Sequence, residues 1–328
     1  MSHPLRSWRL LIGTLLGLVC LWLAARDVSW SELGRALRTA DYRLVVLAGG
    51  LVVAATGIRA WCWRHVYGPT PRPIPFTRAW RILLVAQFLN IGVPARAGDI
   101  ARVYLIGEAG RFSKTAAATS LVIEKFFDMV AFLFMLFLIA TQTNLPPTLD
   151  DVASGLAVAT VVLASLIVAS AWNADRLVGV LSRRIEGVEG WRRRGLEQLV
   201  TVLDGVRVLR RWRAALALQL GYLGGWGALG VATYLALLAL GLGLPPIAAV
   251  VVLGVVQLGT SVPSTPGKVG VFQVLSVLAL APFGVPGDVA FTYGVLLYFV
   301  SYVPVMLLGG VGLWLELPGL RRAGVMDR

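Results

Sequence analysis

The chain has 328 residues, 57% hydrophobic and only 14% charged, with a formal net charge of +13 at pH 7. A soluble domain carries about 25% charged residues, so this composition excludes a soluble globular enzyme and a disordered chain and points to lipid as the solvent. Two cysteines (Cys20, Cys62) and two histidines (His3, His65) imply no disulfide framework and no metal site, and leave little material for histidine catalysis.

The basic residues sit between apolar runs, where they set topology and meet anionic lipid rather than nucleic acid. Only Lys114, Lys125 and Lys268 are lysines. Arginine holds its charge and grips phosphate as a fork, although a GC-rich genome accounts for the same bias.

A helix crosses a bilayer with about 20 apolar residues. The first such run, 8–25, follows Arg6 and Arg9, shows no small-residue cleavage site, and reads as a retained span. Residues 26–43 set Arg26, Arg35, Arg38 and Arg43 against Asp27, Glu32 and Asp41. Leu33, Leu37 and Ala40 at helical spacing, with Trp30 at one end, predict a helix in the interface plane. A second span covers 44–64, and the Arg-rich stretch 59–81 reads as cytoplasmic. Segment 79–111 runs apolar, breaks at Asn90-Ile91-Gly92-Val93-Pro94, then turns polar. Spans at 113–141 and 152–173 flank a short outer connection holding Asp150 and Asp151.

The cytoplasmic segment 174–212 is rich in arginine, from Arg176 to Arg211. Within it Leu196, Leu199, Val200, Leu203 and Val206 repeat with a helical period. A fifth span covers 213–242. Segment 247–283 runs apolar, breaks between Ser261 and Gly267, and turns apolar again. The sixth span is 288–316, and 317–328 is a short cytoplasmic tail. The expected fold is all-α: one transmembrane domain over 1–316, six spans with both termini cytoplasmic, and two oppositely oriented re-entrant hairpins at about 79–111 and 247–283.

The two breaks align. Val93-Pro94-Ala95-Arg96-Ala97-Gly98-Asp99 lies over Val262-Pro263-Ser264-Thr265-Pro266-Gly267-Lys268, with the charge inverted at the last position. Matching broken segments entering from opposite faces point to an inverted-repeat transporter with its site near the midplane. Chance recurrence in a Gly- and Pro-rich apolar chain is the alternative.

Charge at bilayer depth costs roughly 2.5–3.5 kcal/mol per residue, which makes the buried charges informative. Arg96, Asp99 and Arg102, three apart, share one helix face and suggest a phosphate clamp, or else an Arg–Asp pair holding the hairpin. Glu124 and Asp128, four apart with Lys125 beside them, are expected to pair with arginines of the hairpin or to gate a coupling ion. Lys268 either pairs with Asp99 or binds the same anion, and Gln273 is a candidate for the cavity wall. Arg59 is expected to snorkel to the interface. Trp8, Trp61, Trp63, Trp80 and Trp314 read as an interfacial belt.

Pro94-Ala95-Arg96-Ala97-Gly98-Asp99-Ile100-Ala101-Arg102, followed by Ser113 and Glu124-Lys125-Phe126-Phe127-Asp128, resembles a run typical of the lysylphosphatidylglycerol synthase transmembrane-domain family. That family includes the flippase half of the multiple peptide resistance factor. Pro263-Ser264-Thr265-Pro266-Gly267-Lys268-Val269-Gly270 is similar to its second motif. Lys268 replaces a common Gly, Gln273 stands where an acid is expected, and Phe299 lies near a position often Arg. The resemblance implies a polytopic protein that moves anionic, aminoacylated or polyprenyl-phosphate-linked lipids between leaflets, with Arg96, Asp99, Arg102, Glu124 and Asp128 as the matching positions.

The expected function is a lipid flippase or scramblase in a bacterial or archaeal cytoplasmic membrane. It is not expected to be an enzyme, to use a cofactor or to bind nucleic acid. The aminoacyl-transferase domain of the synthases is expected to be absent. A lipid-modifying synthase is a candidate partner. The alternatives are a membrane enzyme acting on lipid-linked phosphate and a non-transporting partner of a biosynthetic complex. No Gly-rich loop followed by Lys-Ser or Lys-Thr suggests ATP drive.

Overall fold

The computed structural model describes residues 37–66, 74–92, 97–108, 114–140, 173–185, 212–260 and 266–322, plus scattered positions between them. Among the described residues all regular structure is helical. The helices are α1 (Tyr42–Val66), α2 (Phe76–Gly92), α3 (Ala97–Glu108), α4 (Lys114–Ala140), α5 (Ala174–Ile185), α6 (Trp212–Ala239), α7 (Pro246–Gly259), α8 (Val271–Leu280) and α9 (Gly287–Arg322).

Three of them are long and apolar enough to cross a membrane: α1, α6 and the Gly287–Glu316 part of α9. Helix α4 has spanning length, at 27 residues, but carries Glu124, Lys125 and Asp128 in its middle. As helices these four coincide with the segments 44–64, 113–141, 213–242 and 288–316, of which α1, α6 and α9 are long and apolar enough to cross. The span expected at 8–25 lies outside the described residues, and that at 152–173 is described only at scattered helical positions. Helix α9 continues to Arg322, past the boundary expected at 316 for the sixth span.

Lipid does not press helices together as water does, so close backbone approach has to hold them. Helices α1 and α6 run antiparallel. The Asp41 amide donates to Ala239 O at 2.9 Å at one end, and Cys62 faces Leu218 O at the other. Gly221 and Gly225, one turn apart on α6, permit this contact. A Cβ on Gly221 would collide with Cys62 Sγ, and one on Gly225 would lie 3.7 Å from Arg59 Cγ. Helix α9 packs along α2 in the same way: a Cβ on Gly309 would sit 2.6 Å from Leu84 O. There Arg81 clasps Glu316, Nη2 to Oε1 at 2.6 Å, with Arg78 at 3.7 Å from the other oxygen. Gly49 on α1 receives the ring of Pro304.

Each apolar segment with a break folds as two short helices packed on each other, α2 on α3 and α7 on α8. Helix α7 starts at Pro246, a residue suited to the first helical turn, where its missing N–H costs nothing. The second break includes a tight turn, Pro266–Lys268, which touches α2 of the first pair. The two broken pairs therefore meet inside the molecule. The described parts of the breaks differ locally despite their sequence match. Gly98 is helical and needed for close approach, since a Cβ there would strike the Ala86 carbonyl. Gly267, aligned with it, has φ +74, and Lys268 after it has φ +57. The shared glycine thus answers two different steric demands.

Candidate functional site

A cavity of about 500 Å³ lies where α1, α2, α3, α4, α6, α7 and α9 converge on the second break. Among the described residues four cations (Arg59, Arg102, Lys125, Lys268) and three carboxylates (Asp99, Glu124, Asp128) line it. Thr56, Gln87, Asn90, Gln257, Ser301 and Tyr302 add neutral polar groups, and the remaining wall is largely apolar.

The first break is organised by Asn90, in the last turn of α2. Its Oδ1 accepts from the Gly98 amide at 2.9 Å, and its Nδ2 approaches Asp99 Oδ1 at 3.4 Å. That single side chain satisfies an otherwise free N–H at the start of α3 and steadies the acid beside it. Asp99 is thus hydrogen-bonded within its own hairpin. Arg102, one turn on, is buried and its Nη2 donates to Glu124 Oε2. Its guanidinium lies 4.3 Å from the centre of the Trp63 ring, and Trp63 Nε1 donates to Ser120 Oγ at 3.2 Å. Among the described residues the buried Arg102 Nε has no hydrogen-bond partner.

Glu124 is thereby the counter-ion of Arg102, as expected of a hairpin arginine. Asp128 departs from the expectation. Its partners are Arg59 Nη2 on α1 at 2.6 Å and Trp226 Nε1 on α6 at 3.0 Å. Arg59 is also 3.9 Å from Glu124 Oε1. The snorkelling expected of Arg59 is therefore corrected: it is 17% exposed and bridges both acids in the cavity wall. A buried arginine fork between two carboxylates offsets the cost of all three charges. Trp63 is corrected as well, being fully buried under Arg102. Trp61 and Trp314 are exposed.

Lys268 lines the same cavity, its Nζ 5.9 Å from the centre of the Tyr302 ring. The carbonyl of Gly267 accepts from Tyr298 Oη at 2.8 Å, so α9 fixes the turn that presents the lysine. Gln273 is off the cavity wall. Its Oε1 accepts from the Gly270 amide at 2.7 Å and caps α8. Arg96, Pro94 and Pro263 lie outside the described residues, so the structure places Asn90, Gly92, Gly98, Pro266 and Gly267 of the expected breaks. The sequence reasoning missed Thr56, Gln87, Gln257, Ser301 and Tyr302. The one signal for them is a single polar side chain within an apolar helix.

The site thus offers a phosphate-sized anion two arginines, two lysines and hydroxyl and amide donors, next to carboxylates that suit a cationic group. Among the described residues no cluster of ligating side chains suited to a metal is present.

The sequence model of the lysylphosphatidylglycerol synthase TM region matches residues 10–309. The UPF0104 membrane protein MJ1078 of Methanocaldococcus jannaschii is 22% identical over 227 residues, 69% of this chain and 92% of that protein. Glycosyltransferase AglD of Haloferax volcanii is 28% identical over 95% of this chain, which spans only 55% of that relative. The chain belongs to the lysylphosphatidylglycerol synthase transmembrane-region family and is a multi-pass membrane protein.

Proposed function

We propose that this family member moves a phosphate-bearing lipid between the leaflets of a prokaryotic cytoplasmic membrane. The observation that carries the reading is the convergence of both chain breaks and seven charged side chains on one cavity inside an apolar helical molecule. Burying that many charges is costly in lipid and is expected where a polar headgroup must pass. Two broken helix pairs meeting at one site favour alternating exposure of that site. In this account the pairs are re-entrant from opposite faces, both termini are cytoplasmic, and no bond of the lipid is made or broken.

The headgroup phosphate docks between Arg102 and Lys268, which line the same cavity. Asp99 and the cavity amides take the hydroxyl or amine groups of an aminoacylated or glycerol headgroup. The acyl chains remain in lipid. Exchange of the packing between α2–α3 and α7–α8 carries the headgroup across.

A second reading draws on the name of the AglD relative: action on a lipid-linked phosphate within a glycan pathway. One experiment separates them. Purified protein in liposomes is given labelled phosphatidylglycerol or labelled polyprenyl phosphate, and both leaflet exchange and chemical change are followed. Exchange of intact lipid supports transport and shows the class taken. Conversion of the lipid without exchange favours the enzyme.

A further inference from the structure

Glu124 occupies the cavity in the manner of a ligand. One carboxylate oxygen accepts from Arg102 and the other faces Arg59 at 3.9 Å. Arg102 does not depend on Glu124 for its position: its plane rests against Trp63, and Trp63 is hydrogen-bonded to Ser120 at 3.2 Å. Among the described residues its buried Nε has no partner, which leaves part of the fork for a further acceptor. Arg59 has five N–H groups, one of which holds Asp128 at 2.6 Å, and Asp128 is separately held by Trp226 at 3.0 Å. A second carboxylate can therefore join Arg59 without displacing Asp128.

We propose that Glu124 is a resident anion that stands in for the ligand's phosphate and moves aside when it arrives. In the arrangement seen here Glu124 neutralises Arg102. An arriving phosphate oxygen takes the Arg102 fork, and Glu124 closes onto Arg59 by rotation of its own side chain. The buried arginine keeps an anionic partner before and after the exchange. The exchange transmits binding on α3 to α1, α4 and α6, the helices that hold Arg59, Glu124 and Asp128 with its Trp226 partner. This rests on the reading that the cavity takes a phosphate headgroup, and it adds that affinity is held down by an internal competitor so that the ligand can leave.

The test measures binding of dihexanoyl phosphatidylglycerol, and separately of inorganic phosphate, to the full-length protein in lipid nanodiscs, beside leaflet exchange in liposomes. Glu124→Gln is expected to bind the short-chain lipid about tenfold tighter, the factor for losing one charge-assisted competitor, while exchange slows. Tighter binding with slower exchange is a pair of effects that a merely structural residue would not produce. Arg59→Gln is expected to weaken binding, because Glu124 then has nowhere to go, and Arg59→Gln combined with Glu124→Gln is expected to restore it. Unchanged or weaker binding by folded Glu124→Gln, with wild type binding normally, overturns the inference and leaves the transport reading standing. If Glu124→Gln does not fold, unweakened binding by Arg59→Gln overturns it instead. The same exchange seen with inorganic phosphate alone keeps the inference and overturns the lipid assignment. No binding of either probe by wild type overturns both.

Discussion

Gly98→Ala sets two opposed effects against each other. Gly98 is the second residue of α3, and alanine there raises helix propensity by about 1 kcal/mol. Against this, the new methyl would strike the carbonyl of Ala86 on α2, and a backbone carbonyl cannot rotate away as a side chain can. Forced overpacking costs roughly 1–3 kcal/mol. Separating α3 from α2 also breaks the 2.9 Å hydrogen bond from the Gly98 amide to Asn90, worth about 1 kcal/mol. The net expectation is a loss of about 1–3 kcal/mol, with Asp99 and Arg102 shifted from the cavity and lipid exchange impaired. Gly92→Ala is the control on the other side of the same break, since a Cβ there meets none of the described residues within 4 Å. The assay is the thermal midpoint of the purified protein in nanodiscs, read beside exchange in liposomes. Gly98→Ala should melt several degrees below wild type and Gly92→Ala should not. A Gly98→Ala protein as stable as Gly92→Ala would refute the packing argument.

Other positions give independent tests. Gln273→Ala removes the acceptor of the Gly270 amide at 2.7 Å; it should cost about 1 kcal/mol of stability and leave the affinity for short-chain phosphatidylglycerol unchanged. Glu316→Gln leaves Arg81 and Arg78 without their shared carboxylate. Because both arginines are partly exposed, the loss should be no more than about 1 kcal/mol, read as a small fall in thermal midpoint. Trp226→Phe keeps the ring and removes the N–H that holds Asp128 at 3.0 Å; exchange should slow severalfold while the thermal midpoint changes little.

The two breaks were legible because proline, glycine and asparagine interrupt apolar runs long enough to span a bilayer, and a break there must be covered by protein. Asp99, Arg102, Glu124, Lys125, Asp128 and Lys268 were legible because charge in such a run is too costly to be incidental. All six line one cavity. Pairing was less legible. Asp128 meets Arg59 across 69 residues of chain, and no local spacing encodes that contact. Arg59 also precedes Arg64 and His65 near a helix end, where snorkelling is the ordinary outcome. Tryptophan on a membrane helix is usually interfacial, whereas the stacking of Trp63 under Arg102 is a tertiary contact that no local pattern encodes. Gln273 drew attention as a lone polar residue after a break. Its position three residues past Gly270 also fits a capping role, and that is the role it has.

The measurement that bears most directly on the central claim is the rate of leaflet exchange of labelled phosphatidylglycerol and labelled polyprenyl phosphate in liposomes. It compares wild type with Lys268→Gln, matched for thermal midpoint. The account predicts that wild type exchanges one of the two lipids well above protein-free liposomes. It also predicts that Lys268→Gln, which removes a cation from the cavity without disturbing the helices, slows that exchange about tenfold, the factor for losing one charge-assisted phosphate contact. Exchange by wild type no faster than in protein-free liposomes, or undiminished in Lys268→Gln, would contradict it.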